Sequence, residues 1–216
     1  MAARNPLVDL RNLLAERFPA ALTPRPTHLS TGLAFLDAAI AGGLCKGAIT
    51  EIISPQLSAG SATLIAALLQ AAQRDRYFVA LIDGSDSFDP QPLGNNCLRH
   101  LLWMRCDTAR TAMQAADLLL RDGNFPLVIV DLVLNPAEQL RKIPQANWYR
   151  LQRLVEPTSS ACLVLSRQSM VASAQLKLVL ENAWTLSSFE ADDALARLRV
   201  RIQRSHARST WTEAAS

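Results

Sequence analysis

The fold is decided by one stretch, EIISPQLSAGSATL at residues 51–64, in which an apolar strand leads through a turn of small residues into a helix. A phosphate-binding loop occupies such a junction and reads G-x-x-x-x-G-K-[ST]. Its glycines let backbone N–H groups wrap the phosphates, while the lysine and the hydroxyl hold the terminal phosphate and magnesium. Aligning Gly60 with the second glycine places Ser61 at the lysine and Ala62 at the hydroxyl. The stretch therefore keeps the scaffold of a nucleotide site without its charges. The degenerate turn comprises Ser54, Pro55, Ser58, Gly60, Ser61, Ala62 and Thr63.

Composition sets the outer bounds of the interpretation. The chain has 216 residues, of which 50% are hydrophobic and 19% are charged, and this suits one globular domain. Four scattered cysteines without a C-x-x-C pair predict neither a zinc site nor a disulfide framework. No apolar run approaches the ~18 residues that a membrane helix needs, so we expect a cytoplasmic protein without a membrane partner. A net charge of +3 is too small to indicate nucleic acid by itself.

A helix and an arm precede the predicted core, and a tail follows it. An amphipathic helix is expected over residues 6–18, and prolines at 19, 24 and 26 predict an extended arm after it. We divide the chain into this helix and arm at 1–27, a core at 28–206 and a flexible tail at 207–216. The apolar face of the helix can dock on a second copy of the chain, which gives a homo-oligomer, or on its own core. That face carries Leu7, Leu10, Leu14 and Phe18.

The core alternates between strand and helix patterns. Such repetition predicts an α/β fold with a mostly parallel sheet, flanked by helices on both sides and ending in antiparallel strands. Continuous apolar runs such as 127–130 are typical of strands buried on both faces. The first predicted helix is short, is capped by Ser30-Thr31-Gly32 and ends at Gly42-Gly43, and the others cover 61–74, 108–121, 145–155 and 172–178. One predicted strand leads into the turn at residues 54–60. The other predicted strands cover 78–82, 101–105, 127–131, 162–165, 183–189 and 196–204.

Several motifs carry a resemblance to a known family. The run from His28 to Asp37, followed by Gly42-Gly43 and Glu51-Ile52, resembles the entry to a RecA-type ATPase core. Leu81-Ile82-Asp83 and Asp89-Pro90 are similar to the family's next strand, and the apolar strand ending in Asp131 resembles its Walker B strand. The similarity covers roughly residues 28–206 and implies a RecA-like core.

Departures from that family bear on catalysis. The family's catalytic glutamate corresponds to Ser85, so lysine, magnesium hydroxyl and glutamate are all replaced. Phosphoryl transfer depends almost wholly on positioned charge, and we therefore expect a degenerate ATPase without catalytic residues, cofactor or metal. For Asp131 two interpretations stay open, a carboxylate at a strand end that is hydrogen-bonded to a helix N-terminus or to water, and a magnesium ligand. An ATPase with an unusual phosphate site remains the competing enzyme hypothesis.

The family's DNA-binding loops are also shortened. Ser166-Arg167-Gln168 leads almost directly into the predicted helix at 172–178, which leaves no room for a long mobile loop. With its altered turn, the chain is similar to the ImuA family of accessory proteins encoded with mutagenic translesion polymerases in bacteria. That resemblance implies a DNA-damage role through protein partners, namely an inactive polymerase-like mutasome subunit and a RecA-like protein. The resemblance to SulA, a cell-division inhibitor, is the alternative.

Arginines alternate with apolar residues near the C-terminus. Side chains two residues apart point to the same face of a strand, so Arg197, Arg199 and Arg201 lie on one face. On that face they contact DNA phosphates or a protein partner, or they protect a sheet edge from aggregation. These arginines are Arg197, Arg199, Arg201 and the following Arg204.

Overall fold

The computed structural model describes residues 27–57, 59–184 and 198–205, except for the side chains of residues 204 and 205. The strands are β1 (His28–Leu29), β2 (Leu44–Cys45), β3 (Ala48–Ile53), β4 (Val79–Asp83), β5 (Leu101–Arg105), β6 (Leu127–Asp131), β7 (Ala161–Ser166), β8 (Leu176–Leu180) and β9 (Val200–Ser205). The helices are α1 (Ala34–Ala39), α2 (Ser61–Asp75), α3 (Asn95–Leu98), α4 (Ala109–Asp122), α5 (Ala137–Arg141) and α6 (Gln145–Val155).

Within the described residues, seven strands form one sheet in the order β5-β4-β6-β7-β3-β8-β9. Every neighbouring pair is parallel except β8 and β9, which are antiparallel. The predicted mostly parallel sheet is therefore confirmed. The carboxyl ends of β3, β4, β6 and β7 meet at one edge, where ligands of open α/β sheets bind.

Both faces of the sheet are covered. One core cluster joins α1 and α2 to one face, with Leu64 and Leu68 of α2 packed near Ile52 and Leu81. The other joins α4 and α6 to the opposite face around the fully buried Trp148. Successive residues of each central strand point to opposite faces, so both sets of residues are buried, as the unbroken apolar runs predicted.

The end of the core differs from the prediction. Residues 176–180 form strand β8 parallel to β3, so the helix expected at 172–178 is wrong. Residues 181–184 lie outside any strand, and the remaining residues of the strand expected at 183–189 lie outside the described residues. Leu176, Leu178 and Leu180 alternate with Lys177 and Val179 in the period-two pattern of a strand, and Lys177 occupies an inward position.

Lys177 is inward because it has a buried partner. Its Nζ lies 2.6 Å from Oε2 of Glu51 on β3, and both side chains are almost fully shielded from solvent. The other carboxylate oxygen of Glu51 accepts the backbone N–H groups of Met170 and Val171, at 2.6 and 3.0 Å. This ion pair therefore fixes residues 167–175, which cross from β7 to β8, against the central strand.

Candidate functional site at the carboxyl end of the sheet

The turn between β3 and α2 has the predicted strand-turn-helix geometry. Ser54 is buried, and its N–H donates to the carbonyl of Ser166 at 2.7 Å. Gly60 precedes the first helical residue with φ of 99°, a left-handed conformation that favours glycine. A Cβ at Gly60 would lie 2.6 Å from Cδ1 of Leu198 and 3.2 Å from the Trp184 ring. Apolar side chains therefore pack against this side of the turn.

The first residues of α2 carry no charge. Ser61 is nearly buried, Ala62 is exposed and Thr63 is half-buried. The N-cap residue of this helix is Gly60, which has no side chain to cap it. The N-terminus of a helix offers an anion a partial positive charge, about half of an elementary charge. Ser58 lies outside the described residues, whereas the other assigned residues come together in one turn.

Asp131 lies beside Asp83, because the two end the paired strands β6 and β4. Burial raises the pKa of Asp131 to about 6; the N–H that Val133 donates to its Oδ1 acts in the opposite direction, and the charge of Asp83 adds to the increase. The carboxylate thus accepts a hydrogen bond from the backbone of its own turn. No group of residues in the described parts of the chain forms a metal-binding cluster.

Asp83 orders the loop that follows β4. Its Oδ2 accepts the N–H of Phe88 at 2.8 Å and, at 3.4 Å, the indole N–H of Trp103. Ser85, at the position of the family's catalytic glutamate, donates its N–H to Oδ1 of Asp83 at 3.4 Å and its hydroxyl to Ser87. Asp83 and Ser85 thus act on the loop's own backbone and side chains.

A cavity of 340 Å³ adjoins the turn. Pro55 and Leu57 line it together with Arg167, the residue that follows β7, and Asn135. The Oδ1 atom of Asn135 is buried and has no partner among the described residues. Arg167 was not assigned a role from the sequence, although its position immediately after a strand of the parallel sheet was the signal that could have found it. It brings one cation near a turn that has none.

The predicted arginine row lies at a sheet edge, since β9 is the last strand in the order. Arg199 and Arg201 are exposed, and Arg201 forms an ion pair with Glu181. Arg204 belongs to β9 and pairs in register with Lys177, whereas Arg197 lies outside the described residues. The edge position agrees with the protective role, and Glu181 already neutralises one of the cations.

Two other predictions concern parts that the structure describes only partly or not at all. Leu7, Leu10, Leu14 and Phe18 lie outside the described residues, as does the tail at 207–216. Among the helices that the structure does describe, none has the length and apolar character to cross a membrane.

Comparisons with known proteins agree with this geometry. A family model described as the RecA N-terminal domain matches residues 23–143, which include β3, the turn, α2 and Asp131. Protein RecA of Clavibacter michiganensis subsp. michiganensis (strain NCPPB 382) is 38% identical to the chain over 122 residues. That alignment covers 55% of this chain and 32% of the length of that relative.

Proposed function

This chain belongs to the RecA N-terminal domain family, and on that premise we propose that it is a non-catalytic RecA-fold adaptor of the bacterial DNA-damage response. Its place there is mutagenic translesion synthesis, as in the ImuA family. It acts by contacts with an inactive polymerase-like mutasome subunit and with a RecA-like protein. One observation carries this proposal: the turn before α2 keeps its form while Ser61 and Ala62 replace the residues that hold phosphate and magnesium.

The carboxylates support the same conclusion. Asp83 and Asp131 accept hydrogen bonds from the loops that follow them, and Ser85 has only a hydroxyl where a general base is needed. A magnesium-bound triphosphate requires several positioned charges, since electrostatic stabilisation supplies most of the catalysis of phosphoryl transfer. The arrangement favours a protein that uses the fold as a scaffold.

The connection after β7 bears on DNA binding. Residues 167–175 cross the sheet with Val171 and Ala174 buried in the core, and Glu51 binds their backbone. A segment fixed in this way does not provide the mobile, stacking loop that single-stranded nucleic acid needs. Contact with DNA is accordingly weak in this proposal and is confined to the basic strand β9.

Arg167 favours a second candidate function, nucleotide binding at an unusual phosphate site. It lines the 340 Å³ cavity beside the turn and is exposed there, so it can reach an anion. One arginine and a helix N-terminus hold a phosphate weakly. Under this alternative, Arg167→Ala abolishes ATP binding.

Nucleotide binding by the purified chain tests the adaptor proposal. The affinity for a fluorescent ATP analogue with magnesium is measured for the wild type and for Ser61→Lys/Ala62→Thr, which restores the phosphate-binding residues. We expect no saturable binding by the wild type below millimolar concentration and a gain of at least about tenfold in the double variant, equivalent to about 1.4 kcal/mol. Tight wild-type binding that Arg167→Ala abolishes would instead support the second candidate.

A further inference from the structure

A groove lies on the face of the protein opposite α2. It has a volume of 740 Å³ and runs between α4, the end of α5 and the first two turns of α6. Its floor is apolar and comprises Met113, Ile143 and Leu151. We call this feature the α4–α6 groove.

The rim of the α4–α6 groove is positively charged. Arg110, Lys142 and Arg150 line it, and among the described residues Asp117 is the one acidic residue that lines it. The Asp117 carboxylate is already bound to the guanidinium groups of Arg150 and Arg121, at 2.6 and 2.8 Å. Arg110 and Lys142 are exposed and form no ion pair within the described parts of the chain. Two cations on the rim therefore remain available to an occupant.

This combination selects among partners. Among the residues that the structure describes, none that lines the groove is aromatic, so this part of the chain offers bases no stacking surface of the kind that single-stranded nucleic acid uses. An apolar floor instead accepts aliphatic or aromatic side chains of a protein segment, and methionine adapts to their shape. The chain's own N-terminal segment has Arg11 and Arg17 beside its apolar row, which repel this rim. Carboxylates next to the apolar anchors of a partner are attracted to it.

We propose that the α4–α6 groove is the docking site for an amphipathic helix of a partner protein whose apolar face is flanked by acidic residues. This inference rests on the proposed adaptor function and gives it a surface. Apolar side chains of the partner lie on Met113, Ile143 and Leu151, and its carboxylates pair with Arg110 and Lys142. Because the two cations lie on an exposed rim, they contribute mainly specificity and association rate, while the apolar floor contributes affinity.

Two synthetic peptides test the proposal on the full chain. Both are 16-residue amphipathic helices with the same leucine and phenylalanine face; one has glutamates beside that face, and the other has lysines at the same positions. Fluorescence anisotropy measures their binding to the wild type, to Arg110→Glu/Lys142→Glu, and to the charge-matched control Arg76→Glu/Arg99→Glu, whose substitutions lie away from the groove. Circular dichroism verifies that each variant is folded.

We expect the wild type and the control to bind the acidic peptide at least tenfold more tightly than the basic one, and the rim variant to reverse this preference. Equal affinity of the wild type for both peptides, or no effect of the rim substitutions, would overturn the proposal. It is also overturned if the acidic peptide binds only after Leu10→Glu/Leu14→Glu, since the groove then belongs to the chain's own N-terminal segment. Rim-dependent binding of a 16-nucleotide single strand without peptide binding assigns it to nucleic acid. None of these results bears on ATP, so this proposal can fail while the adaptor function stands.

Discussion

Replacing Lys177 with methionine tests the buried ion pair that fixes the crossover to β8. The substitution keeps most of the side-chain volume but leaves the Glu51 carboxylate buried without its cation. Removing one partner of a buried pair costs about 3–5 kcal/mol, because the remaining charge has lost its compensation. Glu51 keeps the N–H groups of Met170 and Val171, so we expect a loss of about 3 kcal/mol, near the lower limit of that range.

Urea unfolding followed by circular dichroism measures this loss as a change in the free energy of unfolding. Lys142→Met, at an exposed position, is the matched control and should change stability by less than about 0.5 kcal/mol. In the double variant Glu51→Gln/Lys177→Met, the amide oxygen still accepts both N–H groups and no charge is buried. Its stability should return to within about 1 kcal/mol of the wild type. A Lys177→Met loss below about 1 kcal/mol, or a double variant no more stable than the single one, would refute this reasoning.

Three further predictions follow from the site and the C-terminal strand. The folded-state pKa of Asp131 is about 6 against an ordinary value of 3.8, so the folded state binds this proton more tightly and wild-type stability should fall as pH rises from about 4 to about 6. One pKa unit corresponds to about 1.4 kcal/mol. Chemical denaturation of Asp131→Asn should therefore show no such dependence on pH, and at pH 7 this variant should be more stable than the wild type by about 1–3 kcal/mol. A dependence of stability on pH equal to that of the wild type would contradict the raised pKa of Asp131. Gly60→Ala should lower stability by about 1–3 kcal/mol, because Gly60 has a positive φ and a Cβ there would contact Leu198. The control Gly94→Ala should have little effect, because Gly94 has a negative φ and open space around it. Equal effects of the two substitutions in thermal unfolding would contradict this role of Gly60. If the alternating arginines near the C-terminus contact phosphates, the triple variant Arg197→Ser/Arg199→Ser/Arg201→Ser should be retained less on DNA at low salt. The slope of the logarithm of the binding constant against the logarithm of the salt concentration should fall by about 0.9 for each lost contact. Unchanged retention would leave these arginines the role of protecting the sheet edge.

The sequence predicted the central part of the fold because its signals there are local and strong. The apolar run 127–130 and the alanine-rich helix at 61–75 could hardly adopt another structure, and their bounds agree with the structure within a residue or two. Strand β8 was missed because the repeated strand-helix order favoured a helix after β7, although the leucines of β8 alternate with period two, and the partner of its buried lysine, Glu51, lies far away in sequence. A short run such as LKLVL does not reveal such a partner.

The candidate site was predictable in part for a similar reason. Gly60, Ser61 and Ala62 lie in one turn, so a spacing rule places them correctly. The role of Asp83 depends on the way its loop folds back, and Arg167 reaches the turn only because β7 pairs beside β3. The α4–α6 groove is formed by three helices that are separate in sequence, so no single motif could indicate it.

Steady-state ATP hydrolysis by the purified chain tests the central claim most directly. The rate is measured with magnesium, with and without single-stranded DNA, beside the wild-type RecA of the same organism as a positive control and Asp131→Asn as a site variant. The account predicts no turnover above background for either form of this chain. Turnover by the wild type that Asp131→Asn abolishes would contradict it, because the chain would then be a working ATPase.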